Sequence, residues 1–198
     1  MEVYSTEEQQ VEALKAWWKE NGKAIILGAV IGLGGLFGWR HYQASVLEGQ
    51  YATSQAYAQL EQSADQATAT QAFIDSHSDA AYASLAAMNL AKAAVDKGDL
   101  AAAATQLQWV VDHSSDASLK SLAQVRLARV MIAQGQYDPA LALLDQIKEP
   151  SWQAKVLMLK GDVLVKQNKM TEAREAYLSA QQVENLPLLQ VKLDELAQ

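Results

Sequence analysis

"LARVMIAQGQYDPALALL", residues 127–144, sets the reading of the whole chain. Two apolar runs with helical spacing flank Gly135, and glycine lets a helix end in a left-handed turn. The layout recurs as "LAKAAVDKGDLAAAATQL" (90–107) around Gly98 and as "LKGDVLVKQNKMTEAREAY" (159–177) around Asn168. The three turn residues stand 37 and 33 positions apart, within the period of stacked helix-turn-helix arrays. One such unit cannot bury its apolar face alone. Three predict a solenoid whose ends are covered by atypical helices.

Five positions after each turn comes a small residue, Ala103, Ala140 or Ala173, which lets two helices approach closely. A larger apolar residue, Leu107, Leu144 or Tyr177, follows four later on the same face. This pattern resembles the tetratricopeptide repeat, and Gly161 matches the small residue of that motif's first helix. The predicted fold is all-α, with three tetratricopeptide-like repeats over 80–183. A degenerate helical pair over 43–79 (helices 43–62 and 66–77) precedes them, and a capping helix over 184–198 follows, with Pro187 in its first turn. Breaks are expected at 63–65, Ser78-Asp79, 114–116 and Glu149-Pro150.

Upstream, Ala24 to Trp39 form 16 residues without a charge. At ~1.5 Å per residue they cover roughly 24 Å, short of a hydrocarbon core of about 30 Å. Lys23 and Arg40 can snorkel, and Trp17, Trp18, Trp39 and Tyr42 suit the two interfaces, so a transmembrane anchor over 23–42 is expected. A buried soluble helix is the weaker alternative, because five glycines in this stretch each cost such a helix up to ~1 kcal/mol. A cleaved signal is weaker too: the first 23 residues carry five glutamates against three lysines, and no small-x-small site follows. Gly28 and Gly32, then Gly34 and Gly38, form small-xxx-small pairs, which mark them as candidates for packing against another membrane helix.

Residues 1–22 read as an amphipathic helix, with a capping-box pattern at Ser5 and Thr6, one apolar face of Val11, Leu14, Trp17 and Trp18, and a stop at Asn21-Gly22. Lys15, Lys19 and Lys23 precede the span, whereas Arg40 is the one Lys or Arg after it until Lys92. The positive-inside rule therefore puts the amino terminus in the cytoplasm and the repeats across the membrane, in the periplasm if the host is a bacterium.

The charge balance of −7 leaves no basic face for nucleic acid. With no cysteine there are no disulfides, thiolate metal sites or cysteine nucleophiles. His41, His77 and His113 lack ligand spacing and are expected at helix ends or on the surface. No catalytic constellation, metal site or cofactor motif stands out, so the chain reads as a non-enzyme that binds protein.

On the tetratricopeptide pattern, the candidate groove comprises Leu85, Met88, Lys92 and Val95 in unit one and Leu122, Val125, Arg129 and Ile132 in unit two. Lys155, Met158, Asp162 and Val165 complete it in unit three. Such a surface suits an extended or helical apolar segment, since Met adapts to varied shapes. Packing against neighbouring helices is the alternative role for these side chains.

The stretch "QVEALKAWWKENGKAIILGAVIGLGGLFGWRHYQ" (10–43) resembles the YfgM family, the ancillary subunits of the bacterial SecYEG translocon. The likeness runs end to end and includes "VRLARV" (125–130). It implies an inner-membrane adaptor whose periplasmic repeats bind a membrane-anchored chaperone of the PpiD type or exported chains. It also implies an alternative role, a regulator of envelope-stress signalling through the cytoplasmic helix.

Overall fold

The computed structural model describes residues 7–78 and 81–196. The chain divides into two compact units, Met1–Ala52 and Thr53–Gln198. Every regular element among the described residues is helical.

The described residues of the first unit all lie in one helix. α1 spans Glu7–Gln59 and runs without interruption through Asn21 and Gly22, so the expected stop there does not occur. Asn21 gives its side-chain amide to the Trp17 carbonyl at 3.0 Å instead of opening a turn, and the Trp18 ring lies over Gly22. Ser5 and Thr6, the proposed capping pair, lie outside the described residues. The apolar side chains of 25–37 all face outward, from 40% exposed at Ile25 to 71% at Phe37, which overturns the buried-helix alternative. A helix long and apolar enough to cross a membrane, and exposed on all sides, has the properties of an anchor.

The second unit stacks helices in sequence order: α2 (Gln66–Ser76), α3 (Ala81–Asp96), α4 (Leu100–His113), α5 (Ala117–Ala133), α6 (Tyr137–Leu144), α7 (Gln153–Lys166), α8 (Met170–Val183) and α9 (Pro187–Glu195). Short 3-10 turns at Leu60–Gln62 and Pro150–Trp152 precede α2 and α7. Pairs α3/α4, α5/α6 and α7/α8 are the three repeats, and each helix packs on its sequence neighbours as a solenoid requires.

The three intra-repeat turns are chemically the same. Gly98, Gly135 and Asn168 have φ of 77°, 75° and 60°, the left-handed conformation that closes a helix. After each, the next amide reaches back five residues: Asp99 to the Ala94 carbonyl (2.8 Å), Gln136 to Met131 (2.8 Å) and Lys169 to Leu164 (2.9 Å). Asparagine tolerates this backbone better than other non-glycine residues, which explains its use in the third unit. Aspartates start several helices: Asp65, Asp99 and Asp116 accept from the backbone N–H of Thr68, Ala102 and Leu119 at 3.2, 2.9 and 2.9 Å.

Ala103, Ala140 and Ala173 are fully buried, and Leu107, Leu144 and Tyr177 nearly so, as their spacing predicts. One apolar cluster runs through α2 to α6 and takes in Val156 and Leu159 of α7. A smaller one, formed by Met158, Tyr177, Ala180, Leu189 and Leu193, joins α7, α8 and α9. The last helix closes the stack with Pro187 in its first turn and Leu189 and Leu193 inward.

Candidate protein-binding groove

The first helices of the repeats, α3, α5 and α7, carry the side chains expected to meet a partner. Met88, Lys92 and Val95 of α3 and Arg129 of α5 do come together, around a cavity of about 330 Å³. Leu107 and Val130 form part of its apolar wall, and Arg126 joins Arg129 on the α5 side. Met88 lies at the bottom, 4% exposed, with its sulfur 3.5 Å from Arg126 Nη1. Lys92 pairs with Asp96 on its own helix at 3.0 Å, and both groups are well exposed, so the pair adds little stability.

A second cavity, of about 560 Å³, gathers Ile132, Asp162 and Val165 against α8 and α9. Polar cross-links frame it. The Tyr177 hydroxyl donates to Asp162 Oδ1 at 2.7 Å, and Lys192 Nζ meets the same oxygen at 2.7 Å while lying 5.7 Å from the Tyr177 ring centroid. Burial, reinforced by the neighbouring Asp162 carboxylate, raises the Tyr177 pKa far above the ordinary tyrosine value.

The remaining expected positions fall elsewhere. Val125 and Met158 belong to the core, 3% and 5% exposed, and border neither cavity. Leu122 packs half-buried on the larger cluster, and Lys155 Nζ sits 4.7 Å over the Trp152 ring. Leu85 is exposed but borders neither cavity. The reason is geometric. The first cavity lies between two successive first helices, so α3 shows it Met88, Ala91, Lys92 and Val95, whereas α5 turns back its opposite flank: Arg126, Arg129, Val130 and Ala133. One template face for every unit misses Arg126, although its place one turn before Arg129 is a signal the sequence does carry.

In α1, a Cβ added at Gly28, Gly32, Gly34 or Gly38 meets nothing, so both small-residue pairs face open space. His77 caps α2 and stacks on Phe73, His113 ends α4 and stacks on Trp109, and His41 is exposed. Among the described residues, no three metal-ligating side chains cluster.

An anchoring helix followed by helical repeats with an open groove defines a membrane-anchored tetratricopeptide-like protein. Residues 15–198 match the tetratricopeptide repeat-like domain family. The chain is 38% identical over 182 residues to an ancillary SecYEG translocon subunit of Haemophilus influenzae, covering 89% of each chain. It is 35% identical to proteins of the same name from Escherichia coli, over 100% of both chains, and from Aggregatibacter actinomycetemcomitans, over 96% of this chain and 97% of that one. The chain belongs to the family of ancillary SecYEG translocon subunits. Among solved structures, the N-terminal domain of stress-induced protein-1 (STI-1) from C. elegans reaches a TM-score of 0.47 at 18% identity, covering 59% of this chain and 95% of that one, too remote to bear on function.

Proposed function

We propose that this protein is a non-catalytic adaptor of the SecYEG translocon in a bacterial inner membrane. The observation that carries the reading is identity of 35% over the full length of a relative so named, anchor and repeats together. The exposed apolar surface of α1 supports a place in the bilayer beside the translocon. Lys15, Lys19 and Lys23 favour a cytoplasmic amino terminus, which leaves the repeats in the periplasm. There the groove between α3 and α5 holds a chaperone of the PpiD type or an emerging exported chain, and the anchor keeps that groove close to the exit of the channel.

Photo-crosslinking in cells tests both halves. A reactive residue at Leu33 is expected to give adducts with translocon subunits, and one at Lys92 or Arg129 adducts with a periplasmic protein. Adducts of Leu33 with lipid alone overturn the translocon placement. Labelling of Lys92 by a reagent confined to the cytoplasm overturns the orientation.

A further inference from the structure

We infer that the cavity between α3 and α5 selects a partner segment in which a bulky apolar side chain lies next to an acidic one. This rests on the adaptor reading and specifies the chemistry of the protein held in the groove. The wall is apolar, built from Met88, Val95, Leu107 and Val130, and its volume of about 330 Å³ accommodates one or two large side chains.

Charge supplies the second half of the argument. The chain carries a formal charge of −7, yet Arg126 and Arg129 border this cavity beside Lys92, which is paired with Asp96, and among the described residues no Asp or Glu lines it. Arg126 and Arg129 are exposed, sit one turn apart on α5, and among the described residues neither meets a carboxylate within 4.0 Å. Like charges at this spacing repel, so the pair destabilises the free helix slightly and gains when an anion arrives. Guanidinium groups take a carboxylate through two parallel hydrogen bonds, which fixes orientation as well as sign. Apolar burial then supplies affinity, and the arginines supply selection.

The test uses the full chain in lipid nanodiscs and fluorescent decapeptides, acetylated and amidated, with a Gly-Ser frame. One carries Leu-Phe-Asp-Glu, a second Leu-Phe-Asn-Gln and a third Gly-Gly-Asp-Glu. The first should bind at least roughly tenfold more tightly than either of the others, and added salt should erode that margin. An Arg126→Gln/Arg129→Gln variant, altered only at exposed positions, should bind the first and second peptides equally. Equal binding of these two by the unaltered protein overturns the inference, as does no binding of any peptide. A selective site whose preference survives the double substitution overturns it as well.

Co-purification of the same preparations with the translocon separates the two readings. If it persists while peptide selection fails, the groove chemistry is wrong and the adaptor stands. If it is absent while selection holds, the adaptor reading falls instead.

Discussion

Replacing Gly161 with alanine should destabilise the carboxyl-terminal repeat, and the size of the effect follows from one contact. A Cβ at this position would lie 2.5 Å from Tyr177 Cδ1 and closer still to the adjoining Cε1. Carbon atoms rest at about 3.5–4.0 Å, so the ring must retreat by roughly 1 Å. It has little room, being 2% exposed and tied through its hydroxyl to Asp162. Overpacking costs about 1–3 kcal/mol, and loss of a hydrogen bond to a carboxylate about 1.5–3 kcal/mol. Alanine returns about 1 kcal/mol through helix propensity, leaving a net loss of about 1.5–5 kcal/mol. The equivalent pairs in the first two repeats are Ala91 with Leu107 and Ala128 with Leu144, so the third repeat combines a smaller residue with a larger one. In a Tyr177→Leu background the clash is gone, and Gly161→Ala should then stabilise by up to about 1 kcal/mol. Urea unfolding of the full chain in detergent, followed by circular dichroism, measures all four corners of the cycle. An alanine that costs the same in both backgrounds refutes the reasoning.

The turns give a second expectation: Gly135→Ala, forced to hold φ near 75°, should cost about 1 kcal/mol, while Asn168→Gly should cost nothing or stabilise slightly, both by urea midpoint. The Glu149 carboxylate accepts from the buried Ser121 hydroxyl at 2.7 Å, and this bond lowers its pKa. The folded state therefore gains from it above the ordinary glutamate range and loses that gain as pH falls through the lowered value; Ser121→Ala should raise the Glu149 titration, followed by carboxyl carbon shifts, toward the ordinary glutamate range. Tyr177 is held protonated by burial and by Asp162, so above about pH 10 only the unfolded chain ionises there. Stability should fall by up to about 1.4 kcal/mol per pH unit from this group, and Tyr177→Phe should remove that part of the slope in alkaline urea titrations.

Much of the repeat architecture is legible in residue spacing, because its determinants are local. Gly98, Gly135 and Asn168 mark a backbone conformation few residues adopt, and Ala103, Ala140 and Ala173 mark close helix contacts. The continuity of α1 through Asn21-Gly22 was not legible. A stop signal acts only where the helix gains by ending, and here the Asn21 amide bonds to Trp17 within the helix. Of the cavity between α3 and α5, the positions legible in the sequence were Met88, Lys92 and Val95 of α3 and Arg129 of α5. Which flank of α5 faces the cavity depends on how two helices far apart in sequence are set against each other, and that is a tertiary property. A single repeat register misses Arg126 for this reason, and Val125 and Met158, which share that register, lie in the core.

The two apolar clusters of the repeats meet at α7, which gives Val156 and Leu159 to one and Met158 to the other. That partition sets an order of failure. A protease or unfoldase that engages the carboxyl end would peel away α9 and α8 against the small cluster of five buried side chains. The larger cluster, which walls the cavity between α3 and α5, would outlast them. A shortened chain found in cells would thus have lost Tyr177 and Lys192, the two partners of Asp162, and kept the cavity between α3 and α5.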